Sequence, residues 1–184
     1  MMAVCQQEEK KLRRNFFREI DIVIWVCYHF SHEITLQKGE KQPMEDLKRL
    51  AQEMKSQNLF TNYNHIELAS MEPDRVVYKL TVRPESKNPY GMIHGGALYS
   101  MADNATGVAV HTDGRNYVTQ NGTLHFLRNQ SHGTVYATAT VRHRGRATCL
   151  ADVDITNETG DLLATGEFTY FCVDGAALKA EAGK

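Results

Sequence analysis

Residues 95–110, GGALYSMADNATGVAV, are rich in Ala, Val, Leu and Met and show no polar–apolar alternation. A strand with one wet face alternates, and a surface helix carries a polar stripe, so this run predicts a helix buried on nearly all sides. Asp113-Gly114 ends it. Four β-prone runs follow at 117–127, 134–143, 147–156 and 162–173, separated by short polar turns at 130–133, 144–146 and 157–161. That spacing predicts an antiparallel meander. Ahead of the helix, runs at 65–71 and 75–82 flank Glu72-Pro73-Asp74 and read as a hairpin, and residues 83–90, with two prolines, read as a loop. The fold class is α+β, a long central helix beside one antiparallel sheet.

Leu47, Leu50, Ala51, Met54 and Leu59 recur at near-helical spacing among Lys48, Arg49, Glu53 and Lys55, which predicts an amphipathic helix of about three turns. Residues 1–43 differ in character: a mixed-charge start, the run IVIWVCYHF, then a polar stretch closed by Pro43. They read as an N-terminal extension outside the fold, either disordered, a loosely attached helix, or an upstream stretch if the true start is Met44. Glu8, Glu9 and Asp21 do not suit a signal peptide. The domain is expected at 44–174, with a C-terminal tail at 175–184.

The formal net charge of -1 and the dispersed basic residues leave no broad phosphate-binding face, so no nucleic-acid partner is expected; a small anionic ligand stays open. The longest apolar run, 20–30, is broken by Asp21 and is half the ~20 residues a membrane span needs. Cys5, Cys27, Cys149 and Cys172 stand far apart, which suits a reducing cytoplasm and neither disulfides nor a zinc site. The histidines form no ligand pattern, and no metal is expected.

The chemistry-bearing segment reads Asn88-Pro89-Tyr90-Gly91-Met92-Ile93-His94-Gly95-Gly96, then six residues, then Asp103-Asn104-Ala105-Thr106-Gly107. Gly95 and Gly96 open the helix, where backbone N–H groups lack intrahelical partners and the dipole is positive. Amides there can polarise a carbonyl and stabilise the oxyanion of acyl transfer, an effect of about 10² to 10³ in rate per donor. Tight helix-to-sheet packing is the competing explanation. Asp103 lies in an otherwise apolar helix, where a carboxylate is costly unless compensated, and is a candidate base; a satisfied core or surface residue is the alternative. Eight residues separate Gly95 from Asp103, roughly 12 Å along a helix. If both act on one thioester they come from different subunits, related by a two-fold axis. Gly96, Ser100, Asp103 and Gly107 fall near one face, mostly small, as a close partner or ligand requires.

The pattern N-x-x-G-x-x-H-G-G, six residues, then Asp, with strands after it, resembles hotdog-fold acyl-CoA thioesterases of the phenylacetic acid degradation type. The likeness runs from about Met44 to Asp174 and includes Ala164-Thr165-Gly166-Glu167-Phe168. It implies an antiparallel sheet wrapped around the central helix and hydrolysis of an aromatic or fatty acyl-CoA. In that reading Asp103 is nucleophile or general base, Gly95 donates to the thioester oxygen, Asn88 and His94 position the thioester and order the loop, and Thr119 orients the attacking water. Gly96 and Asn121 would adjoin the substrate, although Asn121 stands where relatives vary. The turn at His143, Arg144, Gly145 and Arg146 would contact coenzyme A, with the arginines on its phosphates or simply solvated. No cofactor is implied, coenzyme A being part of the substrate, and the resemblance suggests a homodimer or homotetramer.

No G-x-S-x-G element is present and no cysteine lies near the motif, which disfavours a covalent Ser or Cys enzyme. The rival from another class is a hotdog module that binds acyl-CoA without turnover; it has no use for a carboxylate beside the thioester. A dehydratase is disfavoured by the spacing of Asp after H-G-G.

Overall fold

In the computed structural model, which describes residues 44–173, helix α1 (Met44–Gln57) and short helix α2 (Leu59–Tyr63) precede strands β1 (Glu67–Glu72) and β2 (Arg75–Thr81). A 3-10 turn at Pro84–Ser86 leads to helix α3 (Gly95–His111), followed by β3 (Tyr117–Phe126), β4 (Thr134–Arg144), β5 (Thr148–Asn157) and β6 (Leu162–Cys172). The extension expected at 1–43 and the tail at 175–184 lie outside the described residues. The single amphipathic helix expected to reach Leu59 is two helices. Asn58 interrupts it, its side chain accepting from the Thr61 amide and so capping α2. Leu59 consequently leaves the apolar stripe and is 76% exposed.

The sheet has six antiparallel strands in the order β1-β2-β4-β5-β6-β3. β4, β5 and β6 form the expected meander, but β3 does not pair with β4. It pairs with β6 at the far edge, while β4 lies between β2 and β5. Burial explains the sorting: Val135, Ala137 and Ala139 of β4 are fully buried and suit a central slot, whereas β3 is exposed at six of its ten positions. A polar strand belongs at an edge. The β3–β4 connection therefore crosses the end of the sheet. Leu127 and Arg128 donate to the Leu163 carbonyl of β6, Gln130 accepts from the Ile93 amide, and Gly133 accepts from Val82 just past β2.

α3 packs against every strand from β2 to β6. Leu98, Met101, Ala102, Ala105, Thr106, Val108, Ala109 and Val110 form its buried side, with Val76, Leu80, Val153, Ile155 and Phe168 among the sheet residues of the same core. The short alanines let the strands approach the helix backbone. Burial is not complete: Gly96 is exposed, and Ser100, Asp103, Asn104 and Gly107 are half-buried. The helix thus keeps one uncovered stripe, made of small and polar residues.

Candidate active site

The loop before α3 is built on Asn88. Its side-chain oxygen accepts from the amides of Tyr90 (3.0 Å) and Met92 (3.2 Å), its own amide donates to Met92 O, and Gly91 turns the chain at φ +76. A non-glycine residue rarely adopts that angle. Lys87 and Ile93 bridge across the loop, and the His94 amide donates to Ser86 O. The segment is a closed, self-bonded loop that delivers the chain into α3 in one direction.

His94 is the N-cap of α3, with extended backbone (φ -67, ψ 131), and its ring Nδ1 accepts from the Gly96 amide at 2.9 Å. This separates the two glycines. The Gly96 N–H is engaged by His94, and a Cβ at Gly96 would lie 3.0 Å from that ring nitrogen. Among the described residues no hydrogen bond uses the Gly95 N–H. It points out of the helix N-terminus, where the dipole is positive. A Cβ at Gly95 would make only ordinary contact with the half-exposed Phe126 ring, at 3.5 Å.

Asp103 sits two turns further along. Thr119, from β3, donates a hydrogen bond to its Oδ1 at 3.2 Å. Burial pushes the carboxyl above its ordinary value, and the Thr119 hydrogen bond offsets part of that rise. Among the described residues no cation forms an ion pair with it. A bulge in β3 between Thr119 and Asn121 decides which side chains reach this place. Thr119 pairs with Tyr170 and Gly122 with Phe168, both inward residues, whereas Asn121 pairs with Thr169 on the opposite face. Asn121, expected beside the substrate, is therefore turned away from its own chain's Asp103.

α3 and β3 run side by side in opposite directions, matched at three points. Phe126 lies against Gly95, Tyr99 donates to Gly122 O at 3.0 Å, and Thr119 meets Asp103. Gly95, Tyr99 and Asp103 are four residues apart and share one side of the helix. Because β3 is an edge strand, this seam is open to the surface. Tyr170 escaped the sequence reading, since it looks like any inward strand residue. The usable signal was that a buried tyrosine needs a partner for its hydroxyl.

The β4–β5 turn is less available than expected. Arg144 is drawn inward, its side chain 18% exposed, and donates to Asp74 Oδ1 (2.6 and 2.9 Å), Val110 O (2.7 Å) and Ala109 O (3.1 Å), with an ion pair to Asp113 at 3.0 Å. It caps the C-terminus of α3, where free carbonyls and the negative dipole end call for a cation. Burial alone would raise the Asp113 carboxyl, but hydrogen bonds from Arg115 and the charge of Arg144 hold it below the usual range. The Gly145 amide bonds Thr148 O at 2.7 Å, and its carbonyl accepts from Arg115. His143 and Arg146 remain exposed. Arg144, expected to meet the phosphates of coenzyme A, is thus engaged by partners within its own chain.

Among the described residues no helix is long and apolar enough to cross a membrane, and no cluster of His, Cys, Asp and Glu could hold a metal ion.

A buried helix with a free N-terminal amide, a carboxylate two turns later and a wrapped antiparallel sheet define a class that the comparisons identify. Residues 90–164 match the thioesterase superfamily model. Acyl-coenzyme A thioesterase PaaI of Escherichia coli is 37% identical over 94 residues, spanning 50% of this chain and 67% of that protein. The 1,4-dihydroxy-2-naphthoyl-CoA hydrolase of Listeria monocytogenes is 30% identical over 108 residues, 56% of this chain and 87% of that one. The solved structure of the E. coli PaaI protein superposes with a TM-score of 0.67 at 29% identity, covering 70% of this chain and 94% of that chain. The chain belongs to the thioesterase superfamily: it is a hotdog-fold thioester hydrolase of the PaaI type.

Proposed function

We propose that the protein hydrolyses an acyl-CoA, aromatic or fatty, to the free acid and coenzyme A, in a site shared between two copies of the chain. The observation that carries this reading is Asp103, a half-buried carboxylate with no ion pair among the described residues, hydrogen-bonded to a hydroxyl at an open seam. Such a group is a poor structural element and a good base or nucleophile. The N–H of Gly95 would donate a hydrogen bond to the thioester oxygen as negative charge develops on it. The carboxylate either attacks the carbonyl carbon itself or takes a proton from water that does so. In the first case the C–S bond breaks to leave a mixed anhydride on Asp103, which water then hydrolyses to release the acid and restore the carboxylate. In the second, water adds to the carbonyl directly and the C–S bond breaks in the same turnover. In both the sulfur leaves as the CoA thiolate.

The geometry of α3 supports the shared site. Asp103 and Gly95 of one chain are roughly 12 Å apart along the helix, too far for one carbonyl to touch both. β3 offers a ten-residue edge strand directly beside them. A second copy placed across that edge would bring its Gly95 to this chain's Asp103. His94 and Asn88 would serve by fixing the loop and the first turn. Thr119 would orient water at the carboxylate. His143 and Arg146, exposed beyond the Asp103 end of α3, are the positions of the turn best placed to meet the phosphates of coenzyme A. Coenzyme A enters as part of the substrate, so no separate cofactor takes part. A cytoplasmic dimer or tetramer is the form in which we expect the enzyme to work.

The test uses two variants. Asp103→Ala should abolish hydrolysis while acyl-CoA still binds. Gly95→Pro replaces the amide hydrogen with a ring carbon, and the fold should accept it: position 95 is the first helical residue, which tolerates proline, His94 already has the extended backbone proline demands, and a Cβ there makes only ordinary contact with Phe126. Each variant alone should be inactive, and mixing them under subunit exchange should restore up to about a quarter of the activity per site if the halves segregate at random. Full turnover by Asp103→Ala would refute the assignment of the carboxylate; no recovery on demonstrated exchange would refute the shared site.

A further inference from the structure

Most of the large apolar side chains that the described residues leave exposed stand in two groups. Phe126 lies against Gly95 and Leu127 follows it; Leu59, Phe60 and Tyr63 are three of the five residues of α2 and are between 56% and 85% exposed. So short a helix does not hold itself together in water. Polar groups hold it instead. Buried Thr61 donates its hydroxyl to Asn58 O at 3.0 Å and its amide to Asn58 Oδ1 at 3.1 Å, Asn64 Nδ2 donates to Phe60 O at 2.8 Å, and Asn62 Nδ2 donates to Lys55 O at 3.0 Å. The fold therefore fixes three apolar side chains outward rather than burying them. Asn58 also ties α2 to α3. Its Nδ2 donates to Asn104 Oδ1 at 2.9 Å, and Asn104 Nδ2 donates to Ser100 O at 2.7 Å. Asn104 directly follows Asp103, about a quarter-turn further round the helix. Asp103 thus has Thr119 of β3 on one flank and the anchor of α2 on the other, while the Tyr170 hydroxyl donates to its carbonyl oxygen at 3.3 Å from beneath.

We propose that Leu59, Phe60 and Tyr63 form the wall against which the acyl group of the substrate lies, so that the enzyme selects uncharged, apolar acyl groups of several carbons over acetyl or carboxylate-tipped ones. The inference rests on the role of Asp103 given above. The attacked carbon must come within about 3–3.5 Å of the attacking atom at Asp103, and the acyl group it carries leaves past the neighbours of that carboxylate. Thr119 and Asn104 are polar, and α2, held by Asn104, is the apolar surface on that flank. Residues 56–66 contain no Asp, Glu, Lys or Arg. An acyl group ending in a charge finds no ionic partner there. A second copy of the chain is a poorer occupant, because three side chains on a five-residue helix fall well short of the roughly 800 Å² per partner that holds a stable dimer. The edge of β3 serves that purpose better. In the shared site the partner's Gly95 would bring its own Phe126 ring to this place, as a second apolar wall.

Steady-state kinetics on acetyl-, octanoyl-, benzoyl- and glutaryl-CoA test this. The wild type should favour octanoyl- and benzoyl-CoA over acetyl-CoA by at least about tenfold in kcat/KM, since each methylene taken out of water is worth up to about fourfold. The double variant Leu59→Ala, Phe60→Ala should erase most of that preference, chiefly through a higher KM for the larger substrates, the pattern of lost binding. Phe60→Lys should gain about tenfold on glutaryl-CoA, whose acyl group ends in a carboxylate, and lose on octanoyl-CoA. This variant decides the matter if the double variant does not fold. A wild type that favours acetyl-CoA, or folded variants with wild-type selectivity, overturns the proposal. Equal losses on every substrate, with the assembly falling apart in light scattering, would make α2 a surface for a second copy and overturn it as well. Asp103→Asn run alongside separates the two readings. If it stays active, the role of Asp103 fails; if it is dead while the α2 variants keep wild-type selectivity, only the acyl wall fails.

Discussion

Arg144, read from the sequence as a group for coenzyme A, is held by partners within the fold. Its guanidinium joins Asp74, Asp113 and the last carbonyls of α3, so removing it leaves two carboxylates and two carbonyls without their shared cation. Arg144→Ala should therefore cost about 2–3 kcal/mol in urea unfolding, less than a fully buried pair because Asp74 is half-exposed. KM for acyl-CoA should stay within about twofold of wild type. A large KM change at unchanged stability would return Arg144 to the phosphate role. Asp103 makes the opposite case, a residue that works at the expense of the fold. Its folded-state pKa is raised by burial, so the unfolded chain ionises it first. Below the unfolded value both states are neutral and nothing is lost; as pH rises through the folded value the native state carries a desolvated charge. Asp103→Asn should accordingly raise Tm at neutral pH, and the gain should vanish on acidification. Thermal melts across that range, with no gain at neutral pH, would show that the carboxylate is better solvated than its position implies.

The seam between α3 and β3 depends on one missing methyl group. At Gly122 a Cβ would run into the ring of Phe168, which is fully buried, and would stand 2.7 Å from the Tyr99 hydroxyl. Phe168 cannot retreat easily, since it is held in the core and tilted against Tyr99 at 5.5 Å. Gly122→Ala should destabilise the domain by about 1–3 kcal/mol, the usual cost of overpacking. Unchanged urea unfolding would mean that the Phe168 ring moves aside freely. The elements themselves were largely legible. α3, the β1–β2 hairpin and the β4–β5–β6 meander follow from periodicity and turn chemistry, which are local. The place of β3 is not local, because its polar residues state that it is an edge strand but not which edge.

For the whole molecule, a helix stripe left uncovered by its own sheet and a ten-residue edge strand beside it leave surfaces that a second copy would close. Light scattering of the purified chain should find at least a dimer at micromolar concentration; a fully active monomer would contradict the shared site. The sequence by itself determined the helix, its glycine start and the carboxylate eight residues on, because each is written in neighbours along the chain. It thereby fixed a distance that one substrate carbonyl cannot span. Only the tertiary structure decided which residues surround that carboxylate. Thr119 reaches Asp103, and Asn121 does not, because a bulge shifts the strand by one residue. Tyr170 comes beneath it through a cross-strand pairing 51 positions away in the chain. Arg144 turns inward because the end of α3 needs a cation. These are contacts between distant segments, set by burial and by unsatisfied backbone groups, and no local pattern records them.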